Sequence, residues 1–136
     1  MAETITVNNI VLPATACTPE VAFDFTHHLL RLTGESYPEN AAAFYRPLIG
    51  AVEAYARLVR SRPDVQVAVH VALSYFNSSS TKMLFTLFEV LNNMAGNGTA
   101  VVLHWYYDRE DDISEEFGQE LNIDFPAMTF YLKPEN

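Results

Sequence analysis

A single cysteine, Cys17, stands among 136 residues, which excludes an intrachain disulfide and any Cys-x-x-Cys zinc or redox pair. Basic residues are also scarce: 8 Lys and Arg face 17 Asp and Glu, a formal net charge of −9. A field of that sign repels polyanions, so nucleic acid and anionic membrane are poor partners. Nowhere do about 18 apolar residues run together, so no transmembrane helix is expected. The start "MAETITVNN" has neither the basic residues nor the apolar run of a signal peptide, and a cytoplasmic chain is expected. The sequons at Asn77 and Asn97 then never meet the glycosylation machinery. Glycines are few, and none falls in a phosphate-cradling spacing. No repeat, low-complexity tract or linker divides the chain, so residues 1–136 are read as one domain.

What the chain does have is apolar content: 49% hydrophobic against 18% charged residues, enough at this length to bury a core without metal or disulfide. From Ile5 to Thr33, short β-type runs are interrupted by the turn-like "LPATACTPE". "VAFDF" alternates with period two, and "HHLLRLTGES" follows as a further strand. From Ala41 to about Arg62 the residues Phe44, Leu48, Val52, Tyr55 and Val59 recur at helical spacing behind Asn40, a good N-cap. Pro47 conflicts with that helix, which predicts a kink or a later start.

"RPDVQVAVHVALSYF" reads as a central strand, with Val65, Val67, Val69, Val71, Leu73 and Tyr75 on one face and Ala68, His70, Ala72 and Phe76 on the other. A helix from Ser79 to Ala95 carries Leu84, Leu87, Phe88, Leu91 and Met94, and "GNG" stops it. "TAVVLHWYY" is a second central strand. "DREDDISEEFGQELN" reads as an acidic turn and short helix with Ile113, Phe117 and Leu121 inward, and "FPAMTFYL" as the last strand. Alternation after Pro63 predicts parallel pairing by right-handed crossovers, after an antiparallel hairpin at the N-terminus. The fold class is α/β, a small mixed sheet of about five to six strands with three helices.

The junction "SYFNSSSTKML" holds the densest chemistry. Asn77 is followed by Ser78, Ser79, Ser80 and Thr81 where a central strand turns into a helix, the edge at which ligands collect in open α/β sheets. Capping alone explains one or two such residues. Four hydroxyls exceed that need, no Glu or Gln completes a capping box, and Lys82 in the first turn opposes the helix dipole unless an anion meets it. With no Gly-rich loop nearby, a phosphate carried covalently on a hydroxyl suits the pattern better than a bound nucleotide.

"GESYPEN" at 34–40, "YFNSSSTK" at 75–82 and "WYYDRE" at 105–110, in this order and spacing, resemble the SiaC-type regulatory phosphoproteins, whose fold is similar to the anti-sigma factor antagonist (STAS) domain. The resemblance covers nearly the whole chain and implies a switch rather than an enzyme, with no catalytic residue, metal or cofactor. It implies phosphorylation on the hydroxyl directly after the Asn by a cognate Ser/Thr kinase, and reset by a PPM-type phosphatase. It further implies that the unphosphorylated form activates a diguanylate cyclase, raising cyclic di-GMP and promoting biofilm formation or aggregation. The acceptor carried over is Ser78, with Ser79 and Ser80 as neighbouring alternatives. A partner surface would draw on Tyr37, Pro38, Glu39, Asn40, Asn77, Ser79, Ser80 and Lys82.

Two rival readings stay open on sequence. One keeps the switch and changes the partner, an anti-sigma factor antagonist proper. The other is a small metal-binding enzyme built on His27, His28, His70 and His104, for which no ligand spacing with a carboxylate or Cys is present. The acidic run "DREDDISEE" suits a solvated turn and helix start better than an acid/base pair.

Overall fold

Strands rich in Val, Leu and aromatic residues, separated by amphipathic helices, pair as the alternation requires. The structure, a computed structural model, describes residues 7–135; Ile5, where the first β-type run was expected to begin, lies outside them. The elements are β1 (Ile10–Leu12), β2 (Glu20–Asp24), β3 (Leu29–Ser36), α1 (Ala41–Val59), β4 (Gln66–Phe76), α2 (Ser78–Gly96), β5 (Ala100–Asp108), α3 (Asp112–Asp124) and β6 (Thr129–Glu135). Among the described residues six strands form one sheet in sequential order, β1-β2-β3-β4-β5-β6. The pairs β1–β2 and β2–β3 are antiparallel, and β3–β4, β4–β5 and β5–β6 are parallel.

Sequential parallel order with crossovers of one hand lays all three helices on the same face. Under them lie Leu32, Val69, Leu103 and Trp105 from the sheet with Tyr45, Val52, Leu84, Phe88 and Leu121 from the helices, all at most 3% exposed. The opposite face carries Arg31, His70, His104 and Tyr131 on neighbouring strands and, among the described residues, has no helix over it. No helix among the described residues is long and apolar enough to cross a membrane.

Several local expectations are corrected. His27 and His28 belong to the β2–β3 turn rather than to a strand, and His28 takes a left-handed φ of 57°. Helix α1 runs unbroken from Ala41 through Pro47. Pro47 and Ala43 are both exposed, so water can take the carbonyl that a proline nitrogen leaves free. Tyr45 and Ile49 share the buried stripe, while Phe44 is only half-buried.

Tyr75 is not on the valine face. Gly34 pairs Leu73 and Glu35 pairs Tyr75, so Ser74 is one extra residue on β4. That bulge inverts the alternation, turning Tyr75 outward to 52% exposure and Phe76 inward against Trp105 and Phe117. Gly34, at φ +125°, sits opposite this irregularity.

Ile113 is 76% exposed, and α3 buries Ser114, Phe117, Gly118 and Leu121 instead. The cause is Gly118, which brings the helix against Trp105 and Leu132 so closely that a Cβ would lie 2.7 Å from Trp105 Cδ1. That approach rotates Ser114 into the interface and Ile113 out of it.

Candidate functional site

Parallel strands β3 and β4 end side by side, at Ser36 and Phe76. The Asn77 amide donates to the Ser36 carbonyl at 3.0 Å, and the Asn77 side chain then caps α2 by accepting the Ser80 amide at 2.9 Å. Helix α2 therefore starts at Ser78, one residue earlier than its apolar stripe suggests. The four hydroxyls separate into two kinds. Thr81 Oγ1 bonds back to the Asn77 carbonyl at 3.1 Å, and Ser80 is fully buried. Only Ser78 and Ser79 stand exposed.

Ser80 enters a closed network. Its Oγ donates to the Ser36 carbonyl at 3.0 Å and lies 2.8 Å from Ser36 Oγ, which lies 2.6 Å from the Tyr45 hydroxyl. Each hydroxyl owns one hydrogen, so the order is determined: Tyr45 donates to Ser36 Oγ, Ser36 to Ser80 Oγ, and Ser80 to the Ser36 carbonyl. Burial pushes the Tyr45 phenol up to about 12, opposed by its bond to Ser36, and keeps it a neutral donor.

Around this buried chain lies the exposed rim. Tyr37 and Tyr75 meet edge to face at 5.7 Å between centroids. A shallow groove of about 280 Å³ runs between the starts of α1 and α2, lined by Glu39, Asn40, Ser79 and Lys82 among others. Among the described residues no Lys or Arg lies within ion-pair distance of a carboxylate, so Lys82 faces the groove without a carboxylate partner. Asn40 caps α1 by accepting the Ala43 amide at 3.0 Å, and Asn77 is half-buried.

Two residues expected on the contact surface are not there. Pro38 is buried in the turn between β3 and α1. Ser80 is 0% exposed, which takes it out of reach of both a kinase and a partner in this conformation. The sequence reading missed Tyr75, Ser36 and Tyr45. A polar Ser74 inside an apolar strand was the available sign of the bulge that exposes Tyr75.

The "WYYDRE" segment ends on the same sheet edge. Trp105 is buried, its indole N–H donating to the Ser114 carbonyl at 3.0 Å. Beyond it, Tyr106, Asp108, Glu110, Ser74, Thr33 and Glu135 line an open cleft of about 710 Å³. The acids here act on backbone: Asp108 accepts the Glu110 amide at 2.9 Å and Asp111 caps α3 by accepting the Ser114 amide at 3.0 Å. They serve as turn and cap residues, as the solvated reading requires.

The histidines are spread over two places. His27 pairs with Asp24 at 2.8 Å in the β2–β3 turn, and His28 bonds the Tyr55 hydroxyl. His70 and His104 are register partners on β4 and β5, their rings stacked 4.5 Å apart at 4°. His70 Nδ1 pairs with the Tyr106 hydroxyl at 2.9 Å. Among the described residues no three His, Cys, Asp or Glu side chains converge as metal ligands.

Desolvation holds both stacked imidazoles below the usual His range; His104, Arg31 and Lys133 add to it at His70, and Lys133 at His104. The unfolded chain therefore takes up protons near about pH 6.5 while the folded one resists, so stability present above that pH is lost as pH falls. Relative to wild type, the His70→Asn/His104→Asn protein is expected to lose less melting temperature between about pH 7 and about pH 5. Parallel loss in the two proteins, followed by circular dichroism, would contradict this.

Comparison with known proteins matches these features to one family. The model of the SiaC family regulatory phosphoprotein matches residues 12–135. An uncharacterised protein of Pseudomonas aeruginosa strain UCBPP-PA14 is 28% identical over 123 residues, 88% of this chain and 94% of that one. The crystal structure of apo-SiaC from Pseudomonas aeruginosa is similar at TM-score 0.83 and 26% identity, over 93% of this chain and 98% of that one. A chain in the crystal structure of the Pseudomonas aeruginosa diguanylate cyclase SiaD in complex with its activator SiaC is similar at TM-score 0.83 and 26% identity, over 93% of this chain and 99% of that one. The family match spans the exposed hydroxyls, the buried serines and the aromatic rim alike, and the chain belongs to the SiaC family of regulatory phosphoproteins.

Proposed function

We propose that the chain is a phosphorylation-controlled activator of a diguanylate cyclase. Unphosphorylated, it binds the cyclase, raises cyclic di-GMP and promotes biofilm formation or aggregation. A cognate Ser/Thr kinase places a phosphate on Ser78, and a PPM-type phosphatase removes it. The chain acts in the cytoplasm as a switch and catalyses nothing itself. The observation that carries this reading is the exposed Ser78–Ser79 pair at the entrance to α2, beside Tyr37 and Tyr75, in a chain that shares its fold with the activator in a cyclase complex.

The chemistry of the rim supports a contact that a phosphate would abolish. Tyr37 and Tyr75, 40% and 52% exposed, offer ring area with polar tips, the kind of side chain that anchors interfaces. A phosphate beside them brings roughly −1.5 to −2 charges, which a docked partner must desolvate or avoid. In titration calorimetry against the cyclase, the phosphoprotein is expected to bind at least about tenfold more weakly than the unmodified chain, a difference of about 1.4 kcal/mol. Equal affinities would end this reading of the switch.

A further inference from the structure

We infer that the buried Tyr45–Ser36–Ser80 hydrogen-bond chain is the positioning device that couples the first turn of α2 to the Tyr37–Tyr75 pair. The inference rests on the proposed modification at Ser78 and names how that event reaches the surface around it. The two sequence segments involved are far apart in the chain, yet they meet at Ser36. Its carbonyl accepts from both the Asn77 amide at 3.0 Å and Ser80 Oγ at 3.0 Å. Its hydroxyl joins Ser80 to Tyr45 of α1. The next residue is Tyr37, whose amide donates to the Cys17 carbonyl at 2.8 Å and whose ring meets Tyr75. Ser80 and Ser36 therefore sit between the modified turn and the exposed aromatic pair, with no solvent between them: Ser36, Ser80 and Tyr45 are all 0% exposed.

A phosphate on Ser78 stands at the N-terminal turn of α2, where the free amides and Lys82 hold it. The next residue, Ser79, lines the groove whose other residues include Glu39 and Lys82, so the phosphate adds negative charge at the edge of a groove that already holds a carboxylate. Repulsion between that charge and Glu39 makes the turn and the Tyr37–Asn40 loop adjust to each other. In a low-dielectric interior a fully satisfied hydroxyl chain is stiff, so displacement of the turn moves Ser36 and with it Tyr37. Loss of the Ser80 hydroxyl leaves only the Asn77 amide on the Ser36 carbonyl, and loss of the Tyr45 hydroxyl frees Ser36 Oγ from α1; either change lets the turn shift with less movement of the loop. Coupling then depends on a named element that both sites bias, rather than on proximity alone.

The test installs phosphoserine at position 78 by genetic encoding and follows amide exchange of Tyr37 by NMR, so neither kinase nor cyclase takes part and failure of the switch reading is scored separately, by calorimetry. In the otherwise wild-type chain, phosphoserine is expected to change the Tyr37 exchange rate by about fivefold or more. In Tyr45→Phe and in Ser80→Ala that change is expected to shrink to less than about twofold. A purely structural network lowers the melting temperature of both variants but leaves the ratio between modified and unmodified protein as in wild type. That unchanged ratio in whichever variant folds, or an absent response in the wild-type chain, overturns the inference.

Discussion

Replacement of Ser78 by Ala is expected to remove kinase labelling altogether, whereas Ser79→Ala keeps most of it. Both hydroxyls are exposed at the start of α2, so access alone does not choose between them. Position does. Ser78 follows the Asn77 cap directly and forms the outermost residue of the helix, while Ser79 lies in the groove beside Lys82, Glu39 and Asn40. An acceptor must leave its helix face to enter a kinase active site, and the residue nearest the cap does so with the least unwinding. Ser80→Ala should also remain a substrate, since its hydroxyl is buried and fully engaged. Intact mass after incubation with kinase, ATP and Mg2+ reads the result. A Ser78→Ala chain that still gains one phosphate would move the acceptor to Ser79.

The largest loss of stability is expected from Trp105→Ala, about 3–5 kcal/mol by the usual cost of emptying an aromatic core site. Trp105 is fully buried against Phe76, Phe88 and Phe117, and its indole N–H satisfies the Ser114 carbonyl. Truncation leaves a cavity and removes the side-chain hydrogen bond that ties β5 to the first turn of α3. Against a typical total of about 5–15 kcal/mol, that change removes a large share of the stability. Gly118→Ala tests the same contact from the other side. Its added methyl would meet Leu132 Cδ2 at 2.5 Å and Trp105 Cδ1 at 2.7 Å. Leu132 can turn aside, but Trp105 is held on its far side, so an overpacking cost of about 1–3 kcal/mol exceeds the gain in helix propensity of about 1 kcal/mol. Urea melts followed by circular dichroism measure both variants. Wild-type stability in Trp105→Ala would show that α3 and β5 pack without it.

Both expectations depend on contacts that no linear pattern displays. The alternation of Val65, Val67, Val69 and Val71, the stripe Leu84–Leu87–Phe88–Leu91 and the caps Asn40 and Asn77 were legible in sequence, because period and cap chemistry are local properties of a chain. So were the parallel pairing after β3 and the position of the hydroxyl cluster at a strand–helix junction, since crossover handedness follows from twist. Where the reading failed, a distant residue had intervened. The Ser74 bulge against β3 inverted Tyr75 and Phe76, and Gly118 against Trp105 rotated Ile113 out of the core.

At the site, residue type and order alone establish that hydroxyls, an N-cap and a lysine gather at one helix entrance. Which hydroxyls are free depends on packing. Ser78 and Ser80 are both serines in the same turn, and a helix turn gives neighbouring positions different directions. Whether a direction means solvent or core depends on what packs there, and here Ser36 from β3 and Tyr45 from α1 close over Ser80 and leave Ser78 in water.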